Sequence, residues 1–338
     1  MKRLCLASTI ALILFTSVMP AAALSSRIIP AKAAIVMDNT GTVLYSKYPD
    51  AKLAPASTVK LITAMVAIDT LDPAKTVRVS ANAAKVRSIK PRLQTDDEMT
   101  VSDLLHLALM RSINGAAVAL AETAAGTEQD FVALMNRKAR ELGANNTLFA
   151  NASGLPKGRQ YTTASDLVLI MKAAVSYPLI REILATKFYL FKTTAGKDYF
   201  VDNSNDLLWQ EDNVIGGKTG YTGNARHCFV CAINTEKGPL YTAVLGARSR
   251  SSLWRSTLLL EQIGTHPEDL IMIKDKNRRT RRTSRKDIKP VEYLNLEQSA
   301  PQIRDILQRP APVVPAPAGR KVSDGASDTT IPLTTSGS

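Results

Sequence analysis

Ser57 and Lys60 stand three residues apart in PASTVKLITAM, Pro55 to Met65. Lys60 is the one charged residue between Leu53 and Ile68. On a helix, positions i and i+3 share a face, so this spacing sets a hydroxyl beside an ammonium. A serine hydroxyl is a weak nucleophile until a nearby base takes its proton. Lysine can be that base when burial disfavours its charged form and draws its pKa toward neutrality. An apolar helix supplies that burial. Backbone N–H groups at a helix start can also stabilise an oxyanion. Taken alone, Ser-x-x-Lys is common, and a surface helix with an incidental lysine would read the same way.

Two further stretches carry polar chemistry. In SINGA, Ser112 and Asn114 fall at the junction of two helical patterns, where a helix cap is the ordinary reading. In GGKTGYTGNA, two glycines precede Lys218, Thr219, Gly220 and Tyr221, and a strand-like run follows. Glycines in a strand suit a sheet edge approached closely by a ligand, and Lys218 with the Thr219 hydroxyl could hold a carboxylate. A Gly-rich turn with a solvated lysine is the other reading. The phosphate-loop spacing Gly-x4-Gly-Lys-Ser/Thr is absent. Cys228 and Cys231 form a Cys-x-x-Cys, but in a strand-like apolar run, where i and i+3 point to opposite faces. That argues against a local disulfide. With His106, His227 and His266 as the only histidines and no second cysteine pair, a tetrahedral zinc site is not expected.

The elements that must hold these residues follow from periodicity and turn chemistry. Residues 34–37 and 42–45 read as two strands joined by the turn DNTG at 38–41. Residues 54–71 form an apolar helix. Helical patterns follow at 100–112, 114–126, 127–143 and 162–176, with Thr100 and Ser102 as cap candidates and Gly126 and Gly143 as stops. HCFVCAIN and LYTAVLGA read as strands joined by TEKG at 235–238, and 250–264 as a last helix. Strands, a block of helices, strands and a helix predict a mixed α/β (α+β) domain. In it the first and last strands meet in one antiparallel sheet, covered by helices, with a helical lobe inserted between them.

The ends differ from this middle. Lys2 and Arg3, the apolar stretch Leu4 to Met19 and the small residues at 21–23 fit a cleaved export signal over 1–23. The working domain is then expected over 24–266. From 267 to 338 the chain is a basic, Pro-rich, mostly disordered tail. It contains KDKNRRTRRTSRK at 274–286 and RPAPVVPAPAG at 309–319. The run at 274–286 holds eight Lys or Arg against one Asp. Its plain reading is a solvated tail; its functional one is attraction to a membrane surface or an acidic wall polymer. No nucleic acid is expected.

Ser57–Lys60, Ser112–Asn114 and Lys218-Thr219-Gly220, in this order and at these intervals, are the signature of penicillin-binding proteins and their relatives. Over about residues 30–265 the chain resembles the S11 family of serine-type D-alanyl-D-alanine carboxypeptidases, the low-molecular-weight penicillin-binding proteins. The likeness includes NASGLP, VIGGKTGYTGNA and AVLGARSR. It implies a β-lactamase/transpeptidase-like fold around a five-stranded antiparallel sheet. Ser57 would attack the terminal D-Ala–D-Ala bond of a peptidoglycan stem peptide and Lys60 would accept its proton. Ser112, linked to Lys60 and Lys218, would pass a proton to the leaving D-alanine. Asn114 would bind the peptide carbonyl, Lys218 and Thr219 the terminal carboxylate, and the Ser57 and Tyr221 N–H groups the oxyanion. Beta-lactams would acylate Ser57. The resemblance implies no metal or organic cofactor, and an exported enzyme working in the periplasm or at the outer face of the cytoplasmic membrane.

The sequence departs from the family at three places. Ser-Gly-Asn-Asp is here Ser-Ile-Asn-Gly, with Ile113 and Gly115, which moves the glycine's freedom from before Asn114 to after it. Gln160 stands where the family often has histidine. No C-terminal β domain or amphipathic anchor is legible after 267. An endopeptidase of the same family and a non-catalytic wall-binding protein are the competing readings. A β-lactamase is disfavoured, because no Glu-x-x-Asn occurs between Asn114 and Lys218.

Overall fold

The structure is a computed structural model that describes residues 29–266. The leader expected at 1–23 and the tail expected from 267 lie outside the described residues. β1 (Ala33–Met37) and β2 (Val43–Lys47) form the opening hairpin. Asp38 builds its turn: Oδ1 accepts from the N–H groups of Thr40 and Thr42, each at 2.9 Å, and Gly41 takes φ +96°. The chain then leaves the sheet through a 3-10 turn, Ala56–Val59, that runs into α1 (Lys60–Thr70).

A short ladder of β3 (Thr76–Arg78) and β4 (Glu98–Thr100) encloses α2 (Ala81–Lys85). The helical lobe continues with α3 (Val101–Leu109), α4 (Asn114–Ala125), α5 (Glu128–Glu141), α6 (Ala164–Ala174) and α7 (Pro178–Ala185). Several starts are fixed locally. Thr100 and Asp103 form a reciprocal capping box, and Thr127 and Thr163 accept from the N–H groups of Asp130 and Asp166. Such caps contribute about 1 kcal/mol each. Gly126 and Gly143 end their helices at φ +78°.

After the hairpin β5 (Phe188–Lys192) and β6 (Asp198–Asp202) and a 3-10 turn, Asp206–Trp209, the chain returns to the sheet. It adds β7 (Val214–Thr222), β8 (Arg226–Ile233) and β9 (Leu240–Ala247), and α8 (Arg250–Thr265) follows. The sheet has five antiparallel strands in the order β2-β1-β9-β8-β7. First and last strands thus meet at β1 and β9, as the element order predicts.

The sheet is buried on both faces, and alternation divides its residues between two cores. Ala33, Ile35, Val230, Ala243 and Leu245 face the helical lobe; Ala34, Val36, Phe229, Ile233 and Val244 face α8 through Leu253, Leu260 and Ile263. Burying each large aliphatic side chain contributes about 1.5–3 kcal/mol. Cys228 belongs to the first core and Cys231 to the second, both as free thiols. Burial pushes them up to about 11 and about 12. The i, i+3 argument against a disulfide therefore holds.

The hairpin β5–β6 is not among the elements that periodicity and turn chemistry predict. The β5–β6 hairpin exposes Phe188, Leu190 and Phe200 while Tyr199 and Val201 pack inward, so no polar–apolar alternation marks it. Among the described residues no helix is long and apolar enough to cross a membrane.

Candidate active site

The serine and the lysine sit at the change from the 3-10 turn to α1. Ala56 enters the turn at φ +49°, Ser57 is partly buried, and Lys60 is fully buried as the first residue of α1. Lys60 Nζ has three partners: Ser57 Oγ at 3.0 Å, Asn114 Oδ1 at 2.7 Å and the Ser153 carbonyl oxygen at 2.6 Å. Among the described residues no carboxylate pairs with it. Burial holds its pKa well below the usual amine value, and the charge of Lys218 pushes the same way.

The partners determine what a neutral Lys60 does. A carbonyl oxygen can only accept, and the Asn114 amide is oriented because its Nδ2 donates to the Arg87 carbonyl at 2.7 Å. The two N–H bonds of the uncharged amine therefore go to Asn114 and Ser153. Its lone pair is left facing the Ser57 hydroxyl, the one partner that can donate.

Each partner is placed by a separate element. Asn114 opens α4, and its own N–H donates to Ser88 Oγ at 3.0 Å. Ser153 lies in a loop built by Asn151, whose Oδ1 accepts from the N–H groups of Ser153 and Gly154 and whose Nδ2 donates to the Leu155 carbonyl. Gly154, at φ +81°, lets that loop press on the serine turn; a Cβ there would stand 1.9 Å from the Ala56 carbonyl oxygen. Gln160 Nε2 donates to the Leu155 carbonyl at 2.6 Å, which fastens the same loop from its far side.

β7 is the edge strand of the sheet and runs beside the serine turn. A Cβ on Gly220 would lie 3.0 Å from the Ser57 nitrogen and 3.1 Å from Ala56 Cβ, so this glycine permits the close approach its sequence context suggested. Lys218 is fully buried, donates to the Thr219 carbonyl at 3.0 Å, and is lowered to about 7 by burial. It is not the solvated lysine of a turn. Thr219 Oγ1 shares a 2.7 Å hydrogen bond with Ser204 Oγ, and Tyr221 is exposed beside His227.

Ser112 differs from expectation. It takes φ +64°, and its Oγ is buried with no hydrogen-bond partner. The link to Lys60 and Lys218 is not made, because Lys60 is saturated by three other partners and Lys218 turns to its own strand. The reading of Gly115 also needs correction. It lies inside α4 without a positive φ, and a Cβ would stand 2.7 Å from the Ala83 carbonyl oxygen. Close packing on α2 requires it, while Ser112 carries the unusual backbone angle. Ser153, Asn151, Ser88 and Ser204 received no role from the sequence. NASGLP marked the first two as a motif, but Ser88 and Ser204 touch the site only through the fold. Among the described residues no cluster of His, Cys, Asp or Glu could hold a metal ion.

Ser57 and the buried amine of Lys60 thus stand together beside the edge strand of an antiparallel sheet. The chain belongs to the S11 peptidase family: its model, described as D-alanyl-D-alanine carboxypeptidase, matches residues 20–249. The D-alanyl-D-alanine carboxypeptidase DacF of Bacillus subtilis is 35% identical over 223 residues, 64% of this chain and 57% of that protein. The match thus spans little more than half of that relative's length. The D-alanyl-D-alanine endopeptidase of Escherichia coli is 35% identical over 222 residues, 64% of this chain and 71% of that protein. Among solved structures, the D-alanyl-D-alanine carboxypeptidase of Mycobacterium tuberculosis superposes with a TM-score of 0.66 at 33% identity, covering 70% of this chain and 91% of that one.

Proposed function

We propose that the protein is a serine-type carboxypeptidase that removes the terminal D-alanine from peptidoglycan stem peptides through an ester on Ser57. The observation that carries this reading is the partner set of Lys60, which leaves the lone pair of a neutral amine for the Ser57 hydroxyl. Ser57 Oγ attacks the carbonyl of the last peptide bond and its proton passes to Lys60 Nζ. The C–N bond breaks as the departing D-alanine nitrogen takes the proton that Lys60 accepted, with the Ser112 hydroxyl assigned to relay it once substrate aligns that hydroxyl, which has no partner in the free site; Lys60 is thereby neutral again. Water then cleaves the ester by the same base. Lys218 and Thr219 receive the terminal carboxylate. A carboxylate at Lys218 favours its charged form, so binding would protonate an amine poised near neutrality. The N–H groups of Ser57 and Tyr221 are assigned to the oxyanion and the Asn114 amide to the substrate's peptide carbonyl. Beta-lactams, which mimic the dipeptide, acylate Ser57. A substrate in the wall agrees with the export signal read at 1–23, and wall or membrane contact is assigned to the basic tail.

A second reading has support of its own: relatives in Escherichia coli and Pseudomonas aeruginosa, at 35% and 36% identity, are named D-alanyl-D-alanine endopeptidases. Incubation with pentapeptide muropeptides and with cross-linked dimers, followed by mass analysis, separates the two. Loss of one alanine from the pentapeptide is expected. Cleavage of dimers alone would favour the endopeptidase, and no change in either would reject both.

A further inference from the structure

Beside the acyl-transfer site runs an open cleft lined by Lys90, Pro91, Arg92, Arg111, Phe200 and Asp202. Its position follows from the chain. Arg111 directly precedes Ser112. The segment leading to Lys90 holds Asn114 in place, through the Arg87 carbonyl and Ser88 Oγ. One wall of the cleft thus belongs to the segment that fixes the Asn114 amide, whose oxygen lies 2.7 Å from Lys60.

The charge in the cleft is not balanced. Asp202 is taken by Arg111 at 3.0 Å. Lys90 and Arg92 are exposed and form no ion pair with any described acid. The acids that follow them are engaged elsewhere: Asp96 with Arg78, Asp97 with Lys197 and Tyr199, Glu98 with Thr194. Two free cations and a 59% exposed Phe200 ring remain in the cleft. Cations lining a cleft concentrate an anionic ligand, and a bound carboxylate makes charge-assisted hydrogen bonds with Arg and Lys.

We propose that this cleft binds a second carboxylate of the peptide substrate, one carried along the stem rather than at its terminus. The inference rests on the carboxypeptidase reading and adds a preference for acidic stem peptides. Lys90 and Arg92 meet the carboxylate, Phe200 offers an apolar wall to the adjoining carbons, and Asn114 hands the peptide on toward Ser57.

The test compares two pentapeptides identical except that one stem carboxylate is replaced by its carboxamide. Both are titrated onto the Ser57→Ala variant and also supplied to the active enzyme. The acid peptide is expected to bind about five- to tenfold tighter at low salt, as two exposed charge pairs allow. High salt should erase the difference, and so should Lys90→Gln with Arg92→Gln. Lys90→Arg should keep it. Fluorescent penicillin labelling of Ser57 checks that the double variant is folded. Equal binding of acid and amide peptides by the wild-type cleft, or a preference that survives the double substitution, overturns the proposal. Preferential binding of the acid peptide with no release of D-alanine from either peptide would instead sink the carboxypeptidase reading and leave the cleft standing.

Discussion

Lys60→Arg isolates the base. Arginine keeps a positive charge in the same place but holds its proton at every accessible pH. Lys60 is fully buried, has no carboxylate partner, and is held well below 10.5 by burial and by Lys218. The guanidinium inherits that desolvation without the option of neutrality. Loss of a positioned general base costs about 10²- to 10⁴-fold in rate, so acylation by a fluorescent penicillin should fall by that factor. An unpaired buried charge also costs several kcal/mol of stability, so the variant should melt earlier. Lys60→Gln separates the effects: it is neutral and can still donate to Asn114 and Ser153, so it should melt closer to wild type yet acylate as poorly as Lys60→Arg. In the wild type the acylation rate should rise with pH as the amine loses its proton, with a midpoint well below 10.5. The assay is the second-order acylation rate across about pH 5 to 10, beside a thermal melt. Lys60→Arg within tenfold of wild type, or a wild-type midpoint at the free-amine value, would refute the base assignment.

Three other outcomes follow from the geometry. Asn114→Asp sets a carboxylate 2.7 Å from Lys60 Nζ and favours the ammonium. The acylation profile should move to higher pH by about one to three units, and an unmoved midpoint would break the proposed coupling. Gly154→Ala brings a Cβ to 1.9 Å from the Ala56 carbonyl oxygen at a φ of +81°. Denaturant unfolding should show a loss of about 2–4 kcal/mol, and an unchanged midpoint would mean the loop does not press on the serine turn. Cys228 and Cys231 face different cores, so a thiol reagent should modify both only after unfolding, without reductant; an intact mass two hydrogens short would show a disulfide instead.

Much of the architecture was legible because it is written over short distances. Thr100 with Asp103, Thr127 with Asp130, and the glycines after α4 and α5 fix helix ends within a turn. Asp38 with Gly41 fixes the first hairpin in the same way. The β5–β6 hairpin was not legible, because its apolar residues stand on both faces. Ser88 and Ser204 were not, because nothing near them in the chain names their partners.

The chemistry divides along the same line. The sequence by itself supplied the residue types Ser57, Lys60, Asn114, Lys218 and Thr219, and the order that gives their spacing meaning. It could not settle the charge on Lys60, since desolvation belongs to the assembled surroundings. Those surroundings come from Asn114, 54 residues away, Ser153, 93 residues away, and Lys218 on the far strand. Only the tertiary structure decided that Lys218 is buried, that Ser112 stands without a partner, and that Gly115 serves packing rather than a flexible loop. The physical reason is range. Caps, turns and periodicity act over a few residues, whereas burial and lone-pair direction depend on which distant segments close around an atom.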